Sequence, residues 1–189
     1  MKEHNRSHRI LVRIVRAALM AALICVLSPF SIPTGIVPIT LSLLAVLLTA
    51  VILPPPDAAA AVVVYIALGA VGLPVFSGGA GGFSVLVGPT GGYIWAYLLT
   101  GLFVSALTRL PVMVTMQNRT FRWLTAAGIS FVGVLLCYVC GTVQFVFVRQ
   151  VAPLAALSAC VFPFIIPDIL KCLLASWLGL KIREILQKM

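Results

Sequence analysis

An all-α membrane protein of six transmembrane helices, with a glycine-rich outer loop capping a substrate cavity and both termini cytoplasmic, is the fold the sequence predicts. Three observations predict it. Of 189 residues, 62% are hydrophobic and 9% charged, with a mean hydropathy of +1.18; soluble domains are roughly 45–50% apolar and about 25% charged. The apolar residues fall into about six runs, each near the roughly 20 residues that one helical crossing needs. The basic residues gather on alternate connections. Lys2, Arg6, Arg9, Arg13 and Arg16 precede the first run, Arg109, Arg119 and Arg122 sit between the fourth and fifth, and Lys181, Arg183 and Lys188 follow the last. This is the positive-inside pattern. The net charge of +9 therefore has a topological cause, and nucleic-acid binding is set aside.

Residues 1–12 read as a basic cytoplasmic tail and residues 13–189 as a single six-helix membrane domain. The first span, 13–29, reads as an uncleaved helix, since Ser28, Pro29 and Phe30 give no small-x-small cleavage site. It carries Ala17, Ala18, Ala21 and Ala22, two overlapping pairs at i, i+4 that admit the close approach of another helix. That helix belongs either to this protein or to a partner. Residues 31–38 connect to a short second span at 39–53, which Pro54, Pro55, Pro56 and Asp57 terminate while opening the third, at 58–73. The fourth, fifth and sixth spans are expected at 91–108, 124–148 and 154–180.

Between the third and fourth spans, eight of the 22 residues from 72 to 93 are glycine. At about 1 kcal/mol each relative to alanine, these exclude a regular helix. A structured loop is expected instead, with Phe76, Phe83 and Tyr93 lining a cavity or anchoring at the interface. Irregular backbone survives near a membrane only where protein or water satisfies it. The five cysteines all lie in apolar runs and read as small hydrophobes. Cys137 and Cys140 form a C-x-x-C, but on an apolar helix that spacing places two small residues near one face rather than building a redox centre.

Inside the spans, Asp168 and Lys171 are the groups ionisable at neutral pH. Each costs roughly 2.5–3.5 kcal/mol facing lipid, so both should face the interior. They lie three apart on one helix face, with Pro163 and Pro167 expected to kink the outer half of that helix. Two readings stay open. One is a plain ion pair within the helix. The other is a polar anchor in a substrate cavity, with Lys171 meeting a ligand carboxylate and Asp168 accepting N–H donors. Thr40, Ser42, Ser77, Thr90, Tyr93 and Gln144 are further polar candidates, Gln144 because a buried amide requires partners.

Several chemistries are excluded. The glycine-rich segments contain no G-x-x-x-x-G-K-[ST], so the chain has no ATPase loop of its own. Its two histidines, His4 and His8, lie in the basic tail, which leaves no H-E-x-x-H metal site and no imidazole base in the spans. A solute-binding membrane protein without enzymatic activity or bound cofactor is what the residues predict.

Four segments resemble the BioY family, the biotin-binding S components of energy-coupling factor (ECF) vitamin transporters. They are Val37-Pro38-Ile39-Thr40-Leu41, Gly72-Leu73-Pro74-Val75-Phe76-Ser77-Gly78-Gly79, Gly88-Pro89-Thr90-Gly91-Gly92-Tyr93 and Ile166-Pro167-Asp168-Ile169-Leu170-Lys171. The resemblance implies a six-helix biotin-binding subunit in a bacterial or archaeal cell membrane, energised by a transmembrane T component and two ABC-type ATPases that consume ATP. Asp168 and Lys171 match the family's polar pair and Tyr93 its loop motif, and with Phe76, Thr40, Gly79, Thr90 and Gln144 they make up the expected substrate-binding set. The resemblance also moves Ala17, Ala18, Ala21 and Ala22 toward a T-component surface. One position departs from the family: where glutamine is expected after Thr40-Leu41, this chain has Ser42. The alternative is an ion-coupled secondary carrier for a small vitamin-like acid, in which Asp168 and Lys171 exchange protons.

Overall fold

The computed structural model describes residues 2–32 and 37–188, the side chains of residues 2–6, 9, 187 and 188 excepted. Residues 33–36 of the expected 31–38 connection lie outside the described residues. Among the described residues the chain is almost entirely helical. Its elements are α1 (Lys2–Leu27), β1 (Ser31–Ile32), β2 (Ile39–Thr40), α2 (Ser42–Ile52), α3 (Pro55–Ala70), α4 (Phe83–Val87), α5 (Gly91–Leu107), α6 (Pro111–Thr115), α7 (Arg119–Arg149), α8 (Pro153–Cys160) and α9 (Ile165–Lys188). Stretches long and apolar enough to cross a membrane run over Ile10–Leu27, Arg119–Arg149 and Pro153–Leu186, while α2, α3 and α5 are shorter apolar helices.

The bundle is built around α2. Ten of its eleven residues are buried, which explains why it is apolar on every side rather than along one stripe. It packs against α9, α5, α1 and α3. At 1.5 Å per residue it is only about 16 Å long, and it can lie at membrane depth because other helices, not lipid, surround it. Glycines let the outer helices close in. Gly179 of α9 sits against Val51, and Gly133 of α7 faces Val104 and Thr100. Thr100 also donates to the Gly133 carbonyl at 2.9 Å. Between α7 and α9, Ser130 and Ser176 are hydrogen-bonded at 3.2 Å.

The end of α2 has an unusual solution to a general problem. The carbonyls of Ala50, Val51 and Ile52 would ordinarily accept from the N–H groups four residues on, but those positions are Pro54, Pro55 and Pro56, which have none. Arg109, just beyond α5, supplies the donors: Nη1 reaches Ala50 at 3.1 Å, and Nη2 reaches Val51 at 3.3 Å and Ile52 at 2.7 Å. Ser105 Oγ donates to the Leu53 carbonyl at 2.6 Å. One guanidinium thus replaces three peptide donors. Its burial, with Arg183 nearby, pushes the Arg109 pKa down to about 10, so the group stays cationic at neutral pH. Beside it, Arg13 of α1 grips Asp57 of α3, with Nη2 to Oδ1 at 2.6 Å.

Two expectations need correction, and α1 also extends beyond the expected first span, since it begins at Lys2 while its long apolar stretch runs over Ile10–Leu27, with no proline or glycine to interrupt the basic segment. The second span starts as a strand: Ile39 and Thr40 pair with Ile32 and Ser31 before α2 opens at Ser42. The sixth span is broken, not kinked. α8 ends at Cys160, a 3-10 turn covers Phe162–Phe164, and α9 restarts at Ile165. Pro163 lies in that turn and Pro167 in the first turn of α9, where a missing N–H costs nothing.

Candidate functional site

A cavity of about 380 Å³ opens between the glycine-rich loop, the segment ahead of α2, and helices α5, α7 and α9. That volume falls in the range typical of small-molecule sites, about 300–1,000 Å³. Its aromatic walls are Tyr65, Phe76, Tyr93, Tyr97, Tyr138 and Phe164.

The loop is held in place by backbone shape, by the inward packing of Phe76 and by side-chain donors from Gln144 and Trp95. Gly72, Gly78, Gly79 and Gly82 take φ of 104°, 67°, 75° and 99°, values that disfavour residues with a Cβ. Within it, Ser77–Gly79 form a 3-10 turn and α4 supplies a single short helix. Phe76 turns inward, 1% exposed, with its ring edge-on to Tyr65 at a centroid distance of 5.5 Å. Gly69 leaves the room: a methyl group there would collide with the Phe76 ring. Gly141 on α7 does the same for the Tyr93 ring.

Asp168 and Lys171 form the charged end. Lys171 Nζ donates to Asp168 Oδ1 at 2.7 Å, and Tyr138 donates to Oδ2 at 2.6 Å. Asp168 is 2% and Lys171 9% exposed, and both border the cavity. The two open readings of this pair therefore coincide geometrically, since it is an ion pair and also part of the cavity wall. Each retains capacity. An ammonium has three donors and a carboxylate about four acceptor sites, so the pair can offer donors and acceptors side by side. A second polar group consists of Thr40, Ser42 and Tyr97, with Ser42 bonded to Thr40 at 2.5 Å and to Tyr97 at 2.9 Å. Ser42, the departure from the family pattern, joins a hydroxyl chain at the cavity wall. Ser77 Oγ is buried without a hydrogen-bond partner among the described residues, and its residue lines the cavity.

The structure gathers Asp168, Lys171, Tyr93, Phe76, Thr40 and Thr90 around this space. Two expected members stand elsewhere. Gln144 does not line the cavity; its amide donates to the carbonyls of Leu86 at 3.0 Å and Gly88 at 2.7 Å, the first of which also accepts from Trp95 Nε1 at 3.2 Å. Gln144 is a loop clamp. Gly79 is exposed and contributes backbone shape alone. The alanines of α1 also divide. Ala21 is 2% exposed and belongs to the core, with Ala17 packed beside it; Ala18 and Ala22 are exposed. Facing pairs on a helix lie about 100° apart per residue step, so two overlapping i, i+4 pairs cannot share one interface completely.

Sequence reasoning missed Tyr138, Tyr97 and Tyr65. The available signal was a phenol inside an apolar run, since a buried tyrosine O–H requires a partner.

The sequence model of the BioY family matches residues 1–188. The biotin transporter BioY2 of Lactococcus lactis subsp. cremoris is 39% identical over 163 residues, covering 86% of this chain and 85% of its own. The biotin transporter BioY of Thermotoga maritima is 34% identical over 173 residues, covering 92% and 96%. A crystal structure of the S-component for biotin from an ECF-type ABC transporter superimposes with a TM-score of 0.86 at 28% identity, covering 94% of this chain and 93% of that one. With a family match over nearly its whole length and relatives this similar, the chain belongs to the BioY family.

Proposed function

We propose that this chain is the biotin-binding S component of an ECF-type ABC transporter. The observation that carries the reading is the buried Asp168–Lys171 pair, steadied by Tyr138, in the wall of an aromatic cavity of about 380 Å³. Biotin presents an apolar bicycle to such walls. Its ureido ring places N–H donors beside a carbonyl acceptor, matching an acceptor and a donor held 2.7 Å apart. The relatives named above supply the ligand's identity.

In this reading six crossings, α1, α2, α3, α5, α7 and the α8–α9 pair, place both termini in the cytoplasm, with the basic segment 1–12 ahead of a membrane domain at 13–189. The glycine-rich loop caps the cavity from the outer face. Uptake requires a T component, which meets α1 through Ala18 and Ala22, and two ATPases that hydrolyse ATP on the subunit's behalf. Ala17 and Ala21 serve packing within the subunit.

Calorimetric titration of the detergent-purified chain with biotin, desthiobiotin and thiamine tests the assignment. Tight binding of biotin, weaker binding of desthiobiotin and none of thiamine are expected. A folded protein that ignores biotin overturns the ligand. Uptake in liposomes driven by an imposed ion gradient, without ATPases, would favour the secondary-carrier alternative instead.

A further inference from the structure

We propose that the far end of α7 and α9, remote from the biotin cavity, binds the headgroup of an anionic phospholipid. A second cavity, of about 310 Å³, lies there between the two helices and is lined by Arg119, Arg122, Trp123, Trp177, Lys181 and Glu184. Three cations face one carboxylate. Arg119 and Arg122 both pair with Glu184, Arg119 at 3.5 Å, so one acid is shared by two bases and Lys181 has no acid of its own among the lining residues. Lys181 instead lies over the Trp177 ring, 5.0 Å from its centroid. Arg122 Nε is buried and has no hydrogen-bond partner among the described residues.

Helix electrostatics sharpen the imbalance. Arg119 and Arg122 occupy the first turn and the start of the second turn of α7, where the macrodipole already contributes positive potential and disfavours cations. An anion seated between these arginines and Lys181 relieves both conflicts. The tryptophans fix its source. Trp123 is anchored by a 3.0 Å bond to the Leu173 carbonyl, and Trp177 is half exposed. Trp123 sits near the start of the Arg119–Arg149 apolar stretch, and Trp177 lines the same cavity, the position of an aromatic belt at the boundary between lipid and water. A lipid phosphodiester meets a basic pocket between membrane helices at that depth, with its acyl chains alongside the helices.

Native mass spectrometry of the full chain, delipidated in detergent and titrated with phosphatidylglycerol or phosphatidylcholine, tests the site. The parent protein should retain phosphatidylglycerol preferentially. Arg119→Gln with Lys181→Gln, both exposed positions, should lower that affinity by about fivefold for each charge removed. Glu184→Gln should raise it by about the same factor, which keeps the test readable if the double variant folds poorly. Equal retention of both lipids, or an unchanged affinity in both variants, overturns the proposal. Displacement by millimolar inorganic phosphate marks a soluble-anion site and also overturns it, as does unchanged lipid binding with lost co-purification of transporter partners. Biotin affinity should be unaltered in these variants. Lipid selectivity is read without biotin, so failure of the biotin assignment leaves this result intact.

Discussion

Replacing both members of the Asp168–Lys171 pair should separate its contribution to folding from its contribution to binding. Lys171→Met removes the donor 2.7 Å from Oδ1 and leaves a carboxylate, 2% exposed, with Tyr138 as its remaining protein donor. Breaking a buried pair from one side costs about 3–5 kcal/mol, because the surviving charge stays desolvated. Asp168→Leu with Lys171→Met removes both charges, and exchanging a buried pair for apolar residues is often neutral or stabilising. The double variant should therefore recover most of the loss, less about 1–3 kcal/mol for the buried Tyr138 hydroxyl, which loses its acceptor. Biotin binding should not recover. Each charge-assisted bond lost to the ligand is worth about 1.5–3 kcal/mol, or about 10- to 150-fold in affinity. Thermal unfolding in detergent and calorimetric titration read the two quantities independently. A double variant as unstable as Lys171→Met would refute the ion-pair argument. Parental biotin affinity in the double variant would refute the pair's place in the site.

Three further outcomes follow from particular contacts. Gln144→Leu should remove one donor each from the carbonyls of Leu86, which keeps Trp95 Nε1, and Gly88, which keeps the Gly91 N–H, lowering stability by about 0.5–1.5 kcal/mol for each bond lost; hydrogen exchange across 76–90 should rise, while loss of binding without faster exchange would argue against the clamp. Gly141→Val should drive the Tyr93 ring out of its place and weaken biotin binding at least about tenfold, measured by calorimetry on protein whose unfolding curve remains cooperative. Ala22→Leu, on the exposed face of α1, should leave biotin binding unchanged and impair ATP-driven uptake in the reconstituted complex; reduced binding in the isolated subunit would place Ala22 in the subunit's own packing.

The apolar helices were legible because lipid selects for apolar runs, and the irregular backbone around 72–82 because clustered glycine disfavours helix. The burial of Asp168 and Lys171 was legible because charge is rare inside an apolar run and has to be sheltered there. What escaped was decided by packing. Nothing in Ala17-Ala18-Leu19-Met20-Ala21-Ala22 says which pair faces α3 until α3 is in place. Gln144 could equally satisfy a ligand or a loop, and only the loop's position settles it. Pro163 and Pro167 announced an interruption, but whether the helix bends or restarts depends on Phe164 and Cys160 entering the core. The tyrosines looked like span residues because their rings are apolar, and their hydroxyls acquire meaning only from partners 30 or 55 residues away, as Tyr138 does from Asp168 and Tyr97 from Ser42.

The triple proline after α2 has a consequence for the order of assembly. The carbonyls of Ala50, Val51 and Ile52 are synthesised 57 to 59 residues before Arg109, and nothing local can donate to them in the interval. At roughly 5–20 residues per second, that interval lasts about 3 to 12 s. During it the central helix of the finished bundle has an open end, and the α2–α3 hairpin cannot settle as an independent unit. The first half of the chain waits for the midpoint to arrive, so insertion and folding of this subunit are coupled across a sequence distance that its short loops conceal.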